Sequence, residues 1–473
     1  MTYGIADQAV DVHGRGRTMV GVNGTVVVRL IRCCGRRVHV IGIVASRADP
    51  ASVTIAEQLR QVADFSRASG AERWREFELR MFEERHLDLE DVASHFEDPE
   101  LVVFVSRHAG DTGPLLTAHV PGNVGTADYG GQPRTVPRAA PAALRTVYHA
   151  LRGYAPSGYD VGLECTHHGP SRVGAPCLFV EVGSDESAWR DPVPARSVAR
   201  AVLEIDPDPV PSDRVIVGFG GEHYVPRYER IVRDTDWAVG HIAADWALTE
   251  LAETEDRAAT ISSLFEQSHA TMAHVDSSEN WVRPTIEKLG YRIVSERWLR
   301  EANGVDLDLI DRITDQLGSV EDGTRIGERT SVDPSELQIH RLHNAFVDLL
   351  NGTDPERARR CFRQCTTAYT TIASGSRIGP EVALPSHEGW DDLITCLHPL
   401  FDERFDEFAV TNGVIVGTTT RFDPTTARSL GVPDGPAFGR LAAGESITVD
   451  GATVDPADVH VTERVAVPMR SSN

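Results

Sequence analysis

The apolar residues of this chain fall in short runs of mostly β-branched side chains, each halted by a glycine or a polar group. VHVIGIVAS (38–46), ELVVFVSRH (100–108), PCLFVEVGS (176–184) and DRVIVGFGGEHY (213–224) read as buried strands, and GYDVGLECTHHGP (158–170) as a strand running into a turn. Amphipathic stretches lie between them, notably from about Asp49 to Ala68 and over 186–204. Strands alternating with helices predict an α/β fold: a mostly parallel sheet with flanking helices. Ligands gather at the carboxyl ends of the strands in such sheets, which is where the polar residues of these runs stand.

Beyond about residue 285 the pattern changes. DLDLIDRITDQLG (306–318) has helical periodicity, residues 321–336 read as a linker, and HRLHNAFVDLL and DPERARRCFRQCTTAYTTI read as further helices. The last stretch, from GVIVGTTTRF through GESITVDGATV, is rich in strand and turn residues. The pattern divides the chain into a first domain over 38–285, a helix and linker over 286–329, and a C-terminal α+β domain over 330–473.

The candidate chemistry sits in the first domain. Ser106, Arg107 and His108; Thr117, His119 and Asn123; Glu164, Thr166, His167 and His168; Glu181; His223 and Tyr224; and His241 all fall at or just past strand ends. If the strands are parallel these groups converge on one edge. Two to four of them suffice to hold Zn²⁺ with an open position for water. A lone strand-end histidine more often has a structural job, and no HExxH helix is present; adjacent His167 and His168 beside Glu164 are the more pointed signal. GFGGEHY has the form of a turn whose Gly220 and Gly221 amides approach an anion, although a glycine cluster also serves as a plain tight turn. GxSxG is absent, which removes the support for a serine hydrolase.

Charge changes the picture next. The 473 residues, long enough for two domains, carry 70 Asp and Glu against 47 Lys and Arg, a net charge of −23, and Lys288 is the sole lysine. An acidic, lysine-poor surface suits a cytosol at molar salt, where the Debye length falls to about 3 Å. Repulsion from nucleic-acid phosphates is screened there, so the acidic balance does not exclude RNA; binding would rest on short hydrogen bonds and shape. Seven scattered cysteines without CxxC spacing predict reduced thiols. No run approaches the length of a membrane span, so a soluble cytoplasmic protein is expected. Residues 1–37 are basic, with six Arg against two acids, and read either as an RNA-touching arm or as a start called too early.

Taken together and in order, SRADPAS (46–52), FVSRH (104–108), LLTAHVPGN with DYGGQPR (115–134), LECTHHGP (163–170), PCLFVEVGSDESAW (176–189), VGFGGEHYVPRY (217–228) and VGHI (239–242) resemble the archaeal and plant type of D-aminoacyl-tRNA deacylase. The resemblance covers about 38–285. It implies a monomeric, zinc-associated hydrolase, akin in fold to peptidyl-tRNA hydrolase and the nucleoside phosphorylases, that cleaves the ester joining a D-amino acid to the terminal ribose of tRNA. It puts Glu164, His167, His168 and His223 forward as catalytic and metal-binding positions. His108, His119, Asn123, Gly169, Gly220, Gly221 and Tyr224 follow as substrate-binding positions. Glu222 and Cys165 depart from the family's usual small residues. Peptidyl-tRNA or N-modified aminoacyl-tRNA hydrolysis, and non-catalytic binding of the tRNA acceptor end, stand as alternatives; no DNA or membrane partner is expected. Residues 429–459 are similar to a short element of ribonuclease Z, without that family's metal-binding histidine motif; they point either to an accessory role at the acceptor arm or to a packing domain.

Overall fold

The structure, a computed structural model, describes residues 21–22, 25–26, 40–68, 71–206, 212–385 and 388–471. The basic segment 1–37 lies almost wholly outside them. The chain divides into two compact units: residues 1–162 with 166–209, and residues 163–165 with 210–473.

The first unit is built on an eight-stranded sheet. Its strands are β1 (Val40–Ser46), β2 (Ser66–Ala68), β3 (Ala71–Trp74), β4 (Phe77–Phe82), β5 (Pro99–Arg107), β6 (Leu115–His119), β7 (Asp160–Leu163) and β8 (Cys177–Gly183), in the order β2-β3-β4-β1-β5-β8-β6-β7. The centre β4-β1-β5-β8 is parallel, as the continuous apolar runs require of strands covered on both faces. Helices α1 (Pro50–Val62), α2 (Pro141–Tyr154) and α3 (Pro192–Leu203) flank it. Helix α1 starts where the sequence says it should, with Asp49 accepting from the Ala51 and Ser52 amides and proline in the first turn. It stops at Val62, short of the expected Ala68. Ser66–Ala68 is drawn instead into a hairpin with β3, where Phe65 and Trp74 pack at 6.4 Å.

The second unit contains a smaller parallel sheet, β9 (Val215–Phe219), β10 (Ala238–Ala243), β11 (Met272–Val275) and β12 (Arg292–Ile293), ordered β10-β9-β11-β12. This sheet closes only at β12, beyond the boundary read at 285. Among the described residues the same unit holds two larger antiparallel sheets and a two-stranded one, Ile447–Val449 with Ala452–Val454. In the first, β13 (Thr324–Ile326), β14 (Gln338–Arg341), β15 (Ala368–Ile372) and β16 (Arg377–Leu384) run in the order β13-β15-β16-β14. Thr324–Ile326, inside the segment read as a linker, pairs with β15, and the AYTTI end of the segment read as helix is β15 itself, as its β-branched residues favour. Helices Asn344–Thr353, Pro355–Cys365 and Glu388–Arg404 cover this sheet around a core of Phe346, Phe362, Leu393, Leu397 and Phe401.

Cys361 and Cys396 are disulfide-bonded, with Cα atoms 5.7 Å apart, against the expectation of reduced thiols; their spacing of 35 residues carries no signal, because two helices bring them together. The second antiparallel sheet joins Glu407–Thr411, Val414–Phe422 and His460–Pro468. Between its two long strands sits an inserted element with its own small core of Ala427, Val432, Leu441, Ile447, Val454 and Val459, which spans the stretch 429–459 singled out in the sequence. No helix among the described residues is long and apolar enough to cross a membrane.

Candidate active site

Two successive cross-strand rows on one face of the eight-stranded sheet carry the chemistry of the first unit. Residues directly opposite each other on neighbouring strands share a face. Val44, Phe104, Phe179 and His119 therefore form one row, and Ser106, Glu181 and Thr117 the next. The first row is a stack: Phe104 and Phe179 lie parallel at 4.5 Å, and the His119 ring continues them at 5.3 Å from Phe179. Packed among Val92, Phe96, Val102 and Val173, each phenyl ring removes enough apolar surface from water to contribute on the order of 2–3 kcal/mol. A rigid apolar floor thus fixes His119, which is fully buried.

The turn after β7 brings His167 and His168 over this floor. Pro121 and His167 form a parallel bridge, and the Gly122 amide donates to the His168 carbonyl. His119, His167 and His168 then stand with ring centroids 4.3–4.9 Å apart. Their ligand nitrogens lie within 4.8 Å of one another. His168 has φ +47°, a left-handed backbone that costs a non-glycine residue on the order of 1–3 kcal/mol and tends to persist where the surroundings enforce it, often at functional sites. Its Nδ1 lies 2.8 Å from the Gly169 carbonyl, which can only accept, so Nδ1 carries the proton. The Nε2 lone pair then faces His119 Nε2 at 3.2 Å. An imidazole whose far nitrogen is anchored to a backbone carbonyl is the usual form of a metal ligand, and the three-nitrogen set fits a zinc ion with an open position.

The polar row lies beside this cluster. Ser106 Oγ donates to Glu181 Oε1 at 2.6 Å, and His108 Nδ1 is 3.5 Å from Glu181 Oε2, all three side chains buried. His108 therefore belongs to Glu181 and Ser106. The expectation that strand-end groups gather at one carboxyl edge needs correcting for His119. β6 runs antiparallel to β8, so His119 reaches the face beside Phe179, whereas His108 lies at the end of the parallel strands, its amide on the Val182 carbonyl.

Asn123 holds the adjoining loop. Its Nδ2 donates to the Gly130 and Gln132 carbonyls at 2.8 and 3.2 Å, so the amide nitrogen is engaged in holding the loop. Ser171 accepts from the Gln132 amide, and Glu90 receives the Ser171 and Arg172 amides. Sequence reasoning missed Ser171 and Glu90, because neither stands in a strand-end run. Gly169 donates to the Tyr129 carbonyl and packs so closely that a Cβ would stand 2.5 Å from the Gly131 amide nitrogen.

In the second unit Glu164 and His223 pair at 3.1 Å, Glu164 buried and His223 about 40% exposed. The Cys165 amide donates to the His223 carbonyl, Glu164 bridges Tyr224, and the Tyr224 ring stands edge-on to His223 at 5.0 Å. Burial first, then Glu164, pushes the Cys165 thiol up to about 12, so it is no nucleophile. The glycine turn does not act as an open anion cradle. The Gly220 amide donates to the Ala243 carbonyl and the Gly221 amide to Asp245 Oδ2, so the protein's own carboxylate fills that place. At Gly220 a Cβ would meet the Ser277 nitrogen at 2.4 Å, which accounts for glycine there by close packing. Exposed Glu222 takes no part in these contacts.

A family model described as D-aminoacyl-tRNA deacylase matches residues 95–294. The chain is 44% identical over 437 residues to the D-aminoacyl-tRNA deacylase of Natronomonas pharaonis, covering 90% of this chain and 99% of that protein. It is 42% identical over 468 residues to the protein of the same name from Halorubrum lacusprofundi, covering 89% and 94%. Among solved structures, a crystal structure of a conserved protein of unknown function superposes with a TM-score of 0.51 at 29% identity, covering 56% of this chain and 98% of that one. With such relatives matched over nearly their whole length, the chain belongs to the D-aminoacyl-tRNA deacylase family.

Proposed function

We propose that this protein hydrolyses the ester bond of D-aminoacyl-tRNA, releasing free tRNA and a D-amino acid, with His119, His167 and His168 as the centre of the reaction. Relatives bearing that activity in their name match about nine-tenths of the chain. The observation that carries the assignment of residues is the convergence of three imidazoles on one rigid sheet face, within 4.8 Å, with the strained His168 presenting its Nε2 lone pair. Held by these three nitrogens, zinc would supply Lewis acidity and make hydroxide available near neutral pH.

The chain's own residues account for the rest. The His119–Phe179–Phe104 stack holds the imidazoles in place before substrate arrives, and an ordered site loses little in reorganisation during the reaction. The hydrogen bond from His168 Nδ1 to Gly169 fixes the ring's tautomer and leaves Nε2 to act as base or ligand. In the second unit, taken by itself, Glu164 with His223 is a carboxylate–imidazole pair suited to moving a proton. Aminoacyl esters are already labile, so moderate acceleration suffices, and the harder task is to reject the L-enantiomer, which steric exclusion on one face of the substrate achieves. The reading carries with it a monomeric cytoplasmic enzyme acting on charged tRNA.

The test is deacylation of D-Tyr-tRNA beside L-Tyr-tRNA and N-acetylaminoacyl-tRNA in molar KCl. Cleavage of the D-ester alone supports the proposal. Preference for the N-blocked ester would reassign the protein to peptidyl-tRNA chemistry, and absence of any chelator-sensitive hydrolysis would leave a tRNA-end binding protein.

A further inference from the structure

The loop beside the histidine cluster carries a side chain that neither folding nor the hydrolytic chemistry uses. Residues 123–135 form a compact loop closed by the Asn123 amide on the Thr135 carbonyl and the Arg134 amide on the Gly125 carbonyl. Asn123 and Ser171 pin its middle through Gly130 and Gln132. Gly130 and Gly131 take φ values of +81° and +77°, which let the backbone press against residues 169–171. At the head of this tightly held turn stands Tyr129, 72% exposed and the most exposed of the large apolar side chains among the described residues. Its carbonyl accepts from the Gly169 amide, and the Gly169 carbonyl in turn anchors His168. An exposed aromatic ring on a tightly held backbone, hydrogen-bonded to the residue next to His168, is a platform in want of a flat partner.

We propose that Tyr129 stacks on the terminal adenine base of the substrate tRNA and so sets the aminoacyl ester over the histidines. The proposal rests on the deacylase reading above and extends it to how the substrate is held. The ester is attached to the ribose that bears this base, so any group gripping the base lies close to the catalytic centre. Stacking also suits this protein's charge. At −23 net charge the surface offers phosphates little attraction, and in molar salt release of counterions contributes little. A ring-on-ring contact depends weakly on salt, and is worth roughly five- to a hundred-fold in affinity per base. Single-stranded RNA ends, whose bases are free to splay, are the form of RNA most often read this way.

The experiment compares binding of uncharged tRNA with and without its terminal adenosine, in molar KCl, by the full-length protein and by Tyr129→Ala, Tyr129→Phe and Tyr129→Trp. The expected result is that removing the adenosine weakens binding by wild type and by the aromatic variants on the order of tenfold, while Tyr129→Ala binds both tRNAs equally. In turnover, Tyr129→Ala raises KM for D-Tyr-tRNA by a similar factor with little change in kcat. Because the side chain is exposed, the variant keeps the wild-type melting temperature. If Tyr129→Ala distinguishes the two tRNAs as wild type does, the proposal is overturned. If wild type fails to cleave D-Tyr-tRNA, the deacylase reading falls by itself, and the binding comparison still decides the role of Tyr129.

Discussion

The eight-stranded sheet of the first unit and the antiparallel region of the second use histidine in opposite ways. On the eight-stranded sheet of the first, His119, His167 and His168 face one another at 4.3–4.9 Å over an aromatic floor, one of them with a strained backbone. In the second unit's antiparallel region His343 and His460 are occupied with backbone. His343 Nδ1 accepts from the Ala345 amide at the start of its helix, and His460 Nδ1 donates to the Pro456 carbonyl at 2.6 Å. The same side chain is a cap or a tether where its hydrogen bonds are met locally. It becomes chemistry where the fold crowds several together and leaves nitrogens directed at each other.

That contrast is broken most severely by His168→Ala. Deacylation of D-Tyr-tRNA is expected to fall by about 10³-fold or more while tRNA affinity stays near wild type, and His460→Ala is expected to leave turnover unchanged. Single-turnover kinetics beside equilibrium binding reads both; retained turnover in His168→Ala would remove it from the mechanism.

A second contrast is in pH. Burial, opposed by Asp49, lowers the His86 imidazole to about 4, beneath the floor of the same site, where its ring meets Phe104 and Phe179 edge-on. The unfolded chain takes up this proton near 6.5 and the folded chain only near 4, so the unfolded state binds more protons in that window. Stability should therefore drop by about 3 kcal/mol between pH 6.5 and pH 4, a loss that His86→Gln is expected to remove; denaturant melts across that range check it.

Smaller effects sharpen the comparison further. Gly131→Ala puts a Cβ 2.4 Å from Ser171 Oγ in a left-handed backbone and should cost about 2 kcal/mol while raising KM; Gly444→Ala, also left-handed but in open space, should cost less and leave KM alone. Ser295→Ala, which removes the cap on the Trp298 amide in the second unit, should cost about 1 kcal/mol with unchanged kcat, as melting and turnover together would reveal.

How much of this was legible in the chain follows from what each feature depends on. β1, β5, β8 and β9 announce themselves because strands buried on both faces must be continuously apolar. The THHGP turn stood out because no other two histidines are adjacent in the chain. That His119 would meet them was legible only in part: its residue type pointed to the site, but the antiparallel direction of β6 is a fact of pairing that no local pattern carries. Asn123 read as substrate-binding because it stands after a strand, while the carbonyls that take its Nδ2 belong to a loop fixed by glycines, which no local pattern shows. The glycine turn at 220–221 left two readings open for a similar reason, since Asp245, which accepts from the Gly221 amide, opens a helix that follows β10. The Cys361–Cys396 pair was hidden by helix packing.

The central claim is that the three imidazoles of the first unit form a metal-holding hydrolytic centre selective for the D-ester. Its most direct measurement is the metal content of the purified protein, wild type and His119→Ala/His168→Ala, taken together with deacylation of D- and L-Tyr-tRNA in molar KCl. Zinc retained by wild type and lost from the double variant, with cleavage of the D-ester alone and only by wild type, is the predicted result. A double variant that keeps both its zinc and its D-selective turnover would contradict the account.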